Sequence, residues 1–221
     1  MTPGWVLHRR PYRESSALVE VLTADGRQRG VVRGQGKSSQ LVAFMPLLID
    51  WGPARDLRSL TRIEPMGPSV SLSGNPLLCG LYVNELCVRL LPQDEACPGL
   101  MADYGRTLGA LRDGEIEPAL RRFERALLAQ LGFDFSVAAT ADGQPLEDDL
   151  RYWVHPESGP RLAPQTAAGA AFGRDLKRVQ AQAFDDAGVL KLAKRLNRQR
   201  LNALLGDKPL QSRLLIQGAN S

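Results

Sequence analysis

The sequence predicts an α+β chain: a small closed β-barrel first, then a mostly α-helical domain with a small β-hairpin insertion. Three observations predict it. Residues 1–68 hold about five short apolar runs separated by turn signals, with no helical period. From Ser73 the apolar residues switch to helical spacing. Between residues 133 and 165 that spacing lapses and a strand–turn–strand pattern replaces it.

The strands come in order. "WVLH" and "SALVEVLT" are strand-like and end at "ADG", a turn of the Asp-Gly kind, with "RQRGVVRG" as the return strand. "GQGKSSQ" is a polar loop. "FMPLLIDW" and "LRSLTRIEP" read as two more strands across "GPARD". A five-stranded oligonucleotide-binding (OB-fold) barrel over residues 1–68 is the economical arrangement, with an SH3-like barrel or a sandwich fragment as alternatives.

The helices follow over 69–221. In "LSGNPLLCGLYVNELCVRLLP", Leu77, Leu78, Leu81, Tyr82, Leu86 and Leu90 keep helical spacing, with Ser73 as N-cap and Pro92 as stop. A second helix closes at Asp113-Gly114. A third, "IEPALRRFERALLAQLG", carries Leu120, Phe123, Leu127 and Leu131 on one face and stops at Gly132. Short connections predict a three-helix core over 73–132. Residues 133–165 form a polar loop and a hairpin turning at "PESG", and 166–217 a basic helical tail. In that tail Val189, Leu192, Ala193 and Leu196 make an apolar stripe. Lys191, Lys194, Arg195 and Arg198 repeat the spacing two residues later, about 200° around the helix.

Charge is segregated. Residues 1–68 carry a net +4, 69–173 a net −6 and 174–221 a net +6. Basic ends around an acidic middle point to a polyanion partner. No window stays apolar for ~18 residues, and the N-terminus has no signal-peptide pattern, so a cytoplasmic protein is expected. Cys79, Cys87 and Cys97 fit neither a disulfide framework nor a zinc pattern, and read as buried thiols.

Catalytic motifs are missing. "RGQGKSS" misses the phosphate-loop spacing: the position that needs glycine is Val31, and no helix pattern follows. His8 and His155 have no nucleophile motif beside them. Glu147, Asp148 and Asp149 form an acidic turn with no second carboxylate cluster at a metal spacing. No enzyme activity, cofactor or metal is expected. The positive signal is six arginines within residues 8–34. Arg9, Arg10, Arg13, Arg27, Arg29 and Arg33 lie on and between the first strands, beside the rings of Trp5, His8 and Tyr12. A barrel face of cations and rings is how such folds hold single strands. The competing reading pairs some of these arginines with Glu14, Glu20 and Asp25.

Four stretches resemble the RecO family of bacterial DNA repair proteins: "WVLHRRPYRESSALVEVLT", "LSGNPLLCGLYVNELCVRLL", "EPALRRFERALLAQLGF" and "GDKPLQSRLL". "LYVNEL" and G-x-K-P-L-x-S-R (Gly206 to Arg213) are its more specific parts. The resemblance implies an oligonucleotide-binding barrel, a helical domain and no turnover. It implies a recombination mediator that is cytoplasmic and nucleoid-associated, binds single- and double-stranded DNA and anneals complementary strands. It would bind the C-terminal tail of the single-strand binding protein and, with RecR, help load RecA onto coated strands. Many relatives carry a four-cysteine zinc site after the third helix; residues 133–165 here hold no cysteine, which implies a zinc-free branch. Relatives also tend to a more basic loop where Lys37 is the one charge of "GQGKSSQ", moving weight to Arg9, Arg10, Arg33 and the tail.

A tail ending in Asp and Phe needs an arginine for its carboxylate and an apolar pocket for its ring. The third helix offers Arg121, Arg122 and Arg125 beside Leu120 and Phe123, and the family's carboxylate-binding arginine is best matched by Arg121. Pairing with Glu117 and Glu124 is expected more for Arg122 and Arg125 than for Arg121. Two rivals stand beside the mediator: an adaptor binding acidic proteins without DNA, and a metal-dependent nuclease built on Glu147, Asp148 and Asp149.

Overall fold

The computed structural model describes residues 1–13, 15–34, 41–53 and 58–219. The strands β1 (Thr2–Tyr12), β2 (Ser16–Thr23), β3 (Gly26–Arg33), β4 (Pro46–Trp51) and β5 (Arg58–Pro65) come first. Then follow α1 (Gly74–Leu90), α2 (Pro98–Arg112), α3 (Ile116–Gln130), β6 (Arg151–His155), β7 (Gly159–Ala163), β8 (Ala171–Phe172), α4 (Gly173–Gln180), α5 (Ala187–Leu205) and α6 (Gln211–Ala219).

The first five strands close into a barrel in the order β1-β2-β3-β5-β4, antiparallel except for a short parallel pairing of β3 with β5. This is the oligonucleotide-binding architecture. β1 closes it by serving two partners: Thr2–Trp5 pair with β4 and Gly4–Tyr12 with β2, with a register shift between Val6 and His8. Such a bulge bends the strand from one neighbour to the next. β2 is apolar on both faces because both are covered. Ala17, Val19 and Val21 point inward with Val6, Val32, Leu41, Leu47, Ile49 and Leu60, while Leu18 and Leu22 are buried on the outside. The β2–β3 turn requires Gly26: its φ is +111°, and a Cβ there would collide with the backbone of Glu95.

The chain divides into two compact units, Met1–Ile116 with the segment from Lys208, and Glu117–Asp207. In the first, the "LYVNEL" stretch joins three elements. Asn84 Nδ2 donates to Leu7 O of β1 (2.7 Å), and Tyr104 OH of α2 donates to Asn84 Oδ1 (2.6 Å). Glu85 caps α6: its carboxylate accepts from Gln211 N, Ser212 N and Ser212 Oγ at 2.9, 2.9 and 2.6 Å. The G-x-K-P-L-x-S-R stretch is thus the mate of "LYVNEL", with Leu210 2% exposed. α1 buries Cys79, Val83 and Cys87 besides Tyr82 and Leu86, a wider face than the sequence spacing predicts, because β1, α2 and α6 all pack on it.

The helix ends fall at the expected signals. Ser73 takes the extended N-cap conformation before α1, though its side chain makes no cap bond. After α3, Gly132 (φ +79°) stops the helix, with Gly132 N donating to Ala129 O and Phe133 N to Leu128 O. The expected three-helix core over 73–132 is divided: α1 and α2 belong to the barrel's unit, and α3 runs into the second. That second unit holds the three-stranded sheet β7-β6-β8, α4 and α5. The expected hairpin is present, and β8 extends it. No described helix is long and apolar enough to cross a membrane.

Candidate nucleic-acid interface

The barrel's outer face is built by register. His8 lies opposite Glu20 and Glu20 opposite Arg29; Arg10 opposite Leu18; Tyr12 opposite Ser16 and Ser16 opposite Arg33. Cross-strand partners share a face, so His8, Arg10, Tyr12, Arg29 and Arg33 stand on one side of β1–β3. His8, Arg9, Arg10, Arg13 and Arg33 are exposed. Arg13 (φ +53°) sits 5.3 Å from the Tyr12 ring centroid.

Arg27 and Arg29 do different work. Glu20 is 4% exposed, and its two oxygens are held by Arg27 Nη1 (2.7 Å) and Arg29 Nε (2.6 Å). Arg27 Nε also donates to Leu91 O (2.9 Å). The pairing with Glu20 raised from the sequence therefore falls on these two, and the solvent-facing cations are those of β1 and the end of β3. Trp5, expected among the rings, packs on Tyr104 with centroids 5.6 Å apart. Lys37 lies outside the described residues, and with it most of "GQGKSSQ".

In the second unit the α5 stripe emerges as the spacing predicts. Val189, Leu192, Ala193 and Leu196 are buried, and Lys191, Lys194, Arg195 and Arg198 are exposed. Lys194 Nζ meets Glu117 Oε1 at 2.9 Å, and Arg195 donates to Gly169 O.

The α3 pocket departs from expectation. Arg121 is 3% exposed, with Nη2 on Glu124 Oε1 at 2.8 Å and Nη1 3.8 Å from Glu117. Asn197 Nδ2 donates to Glu124 Oε2 and to Arg121 O, both at 3.1 Å. Leu120 and Phe123 are buried as well. The pairing expected for Arg122 and Arg125 falls on Arg121, because the helix turns residues 121 and 124 inward together. Arg122 is exposed and lies 5.8 Å from the Phe184 ring centroid. Arg125 donates to Val179 O, Gln180 O and Phe135 O.

Two features escaped the sequence reading. Arg200 is buried over Phe135, its guanidinium carbon 3.4 Å from the ring centroid. Burial and the charge of Arg125 pull its pKa down to about 10. The basic stripe hid it, since Arg200 belongs to the opposite face. Trp153 is 47% exposed on β6; strand alternation beside Tyr152 is the signal that could have found it.

Asp148 pairs with Lys177 (2.7 Å) and Asp149 with Arg174 (2.9 Å). Among the described residues no group of His, Cys, Asp or Glu is placed to hold a metal. The three cysteines are buried thiols outside any disulfide. Burial pushes the Cys87 and Cys97 thiols up.

Comparison with known proteins agrees along the chain. A family model described as recombination protein O N terminal matches residues 1–68, and one described as recombination protein O C terminal matches 72–214. The chain is 42% identical over 214 residues to the DNA repair protein RecO of Pseudomonas aeruginosa LESB58, covering 96% of this chain and 92% of the relative. It is 39% identical over 216 residues to that of Stutzerimonas stutzeri A1501, covering 96% and 92%. With that of Alkalilimnicola ehrlichii MLHE-1 the identity is 40% over 222 residues, covering 96% and 89%.

Proposed function

The chain belongs to the recombination protein O family of DNA repair proteins, and from that premise we propose a non-catalytic mediator that binds DNA and anneals complementary strands. With RecR it helps load RecA onto strands coated by single-strand binding protein. One observation carries this reading: the outer barrel face keeps His8, Arg10 and Arg33 exposed beside Tyr12, while the neighbouring carboxylate, Glu20, is already neutralised by Arg27 and Arg29. Phosphates approaching that face meet uncompensated cations. Two strands neutralised and held close pair with energy supplied by the DNA itself.

For the tail of the single-strand binding protein we keep α3 as the contact. Arg122 is its solvent-facing arginine, beside the Phe184 ring. Arg121 takes a tail carboxylate only by exchanging Glu124 for it. The test is fluorescence-detected annealing of complementary oligonucleotides, bare and coated. Arg10→Ala with Arg33→Ala should slow annealing on both substrates, and Arg122→Ala only on coated strands. Absence of annealing by the intact chain on either substrate overturns the reading.

A further inference from the structure

The second unit carries, besides the α5 stripe, an exposed ring that none of the assignments above uses. On β6 the chain alternates, with Tyr152 3% exposed and Trp153 47% exposed. Across the hairpin Trp153 stands opposite Arg161, which is exposed. A half-exposed indole is costly to leave in water, and this one is held in place: Trp153 Nε1 donates to Ala168 O at 3.3 Å. The next carbonyl, Gly169 O, accepts from Arg195 of α5, and the one after, Ala170 O, from Arg151 of β6 at 2.6 Å. Three consecutive carbonyls of one loop thus fasten a ring and a guanidinium from the sheet and a guanidinium from the α5 stripe. Ring and stripe are thus tied to adjacent residues of one loop. Beside the loop, Lys191 and Arg195 line a hollow of about 410 Å³ with Phe172 and Leu192. Of the two acids lining it, Asp186 is committed to capping α5 through Val189 N at 2.9 Å, which leaves Asp175.

With its N–H satisfied within the protein, Trp153 has only its faces to offer. A flat π-face with a cation across the hairpin and more on the same loop's other partner suits the bases and phosphates of a single strand; in a duplex the base faces are stacked away. We propose that Trp153 is a base-stacking platform for single-stranded DNA, with Arg161 and the α5 stripe of Lys191, Arg195 and Arg198 holding the phosphates on either side. This rests on the DNA-binding reading above and adds to it a second, base-contacting site away from the barrel face.

The test uses the full chain, a labelled oligothymidine, and inorganic polyphosphate as a probe with charge but no bases. Trp153→Ala should weaken oligothymidine binding on the order of tenfold, leave its salt slope unchanged and leave polyphosphate binding unchanged. Trp153→Phe should keep most of the affinity but abolish the part of the tryptophan quenching that oligothymidine causes in the intact chain. Oligothymidine affinity and quenching unaltered in both variants overturn the platform, as does an equal loss on polyphosphate. If the intact chain fails to bind oligothymidine, the DNA-binding reading falls too. If Arg10→Ala with Arg33→Ala weakens binding and the Trp153 variants do not, the platform alone falls and the surface belongs to another kind of partner.

Discussion

Two Arg-Arg pairs look alike in the sequence and end in opposite places. Arg9-Arg10 on β1 are both exposed; in Arg121-Arg122 on α3 the first is 3% exposed. The difference lies in what each backbone brings near. β1 sets Arg10 against Leu18, an apolar residue. α3 sets Glu117 one turn before Arg121 and Glu124 one turn after. The helix supplies counter-charges locally and can bury the cation, whereas the strand leaves Arg10 to solvent or a ligand. Arg27 and Arg29 show the boundary case, strand arginines whose register does supply an acid, Glu20.

The largest effect that follows is on the buried pair. Glu124→Ala strands a buried guanidinium and should cost about 3–5 kcal/mol in urea unfolding. Arg121→Met with Glu124→Leu should come back near neutral, because both desolvation penalties go together. A small loss for Glu124→Ala alone would mean that Arg121 is less committed than its contacts show, and would return it to the tail site.

The barrel and its helices were legible because their signals are local: the apolar run of β2, Asp-Gly at the β2–β3 turn, Gly132 after α3. The assignment of α3 to the second unit was not, since short connections say nothing about which neighbour a helix packs on. Nor was the commitment of Arg27, which depends on Leu91 O, 64 residues away. The motifs "LYVNEL" and G-x-K-P-L-x-S-R were recognisable as strings, but their mutual fit through Glu85 appears only in three dimensions.

Alkaline pH separates the two units by sign. In the first, burial raises the pKa values of Cys87, Cys97 and Tyr104. Their unfolded forms lose protons first, so that stability is present at neutral pH and falls as pH rises above about 9, by about 1.4 kcal/mol per unit for one fully buried thiol. Cys87→Ala should flatten the fall. In the second, Arg200 titrates near 10, below its unfolded value. The fold sheds that proton first, so Arg200 adds stability as pH rises beyond about 10. Peptide-resolved hydrogen exchange, corrected for the intrinsic rate at each pH, reads the units apart. A parallel decline in both would remove the contrast.

A smaller effect is expected where Glu85 caps α6. Glu85→Ala removes three hydrogen bonds at the helix start and should cost about 1 kcal/mol, with faster amide exchange from Gln211 onward. Exchange unchanged there would show α6 held without the cap, by Leu210 and by Arg213 on Tyr82.

The smallest stability change belongs to the exposed cations, and it tests the opening comparison most directly. Arg10→Ala and Arg33→Ala should each shift unfolding by less than about 0.5 kcal/mol, since neither is buried. Each should lower the slope of log affinity for DNA against log salt by about 1, because one phosphate contact and its released counterion are lost. Arg27→Ala should do the reverse. It leaves the buried Glu20 with only Arg29, costing about 1–3 kcal/mol, while the salt slope stays put because Arg27 is already spent inside the protein. A slope change for Arg27 equal to that for Arg10 would mean that DNA pulls Arg27 off Glu20, so that the division between structural and ligand-facing arginines on the barrel is set by the bound strand rather than by the fold.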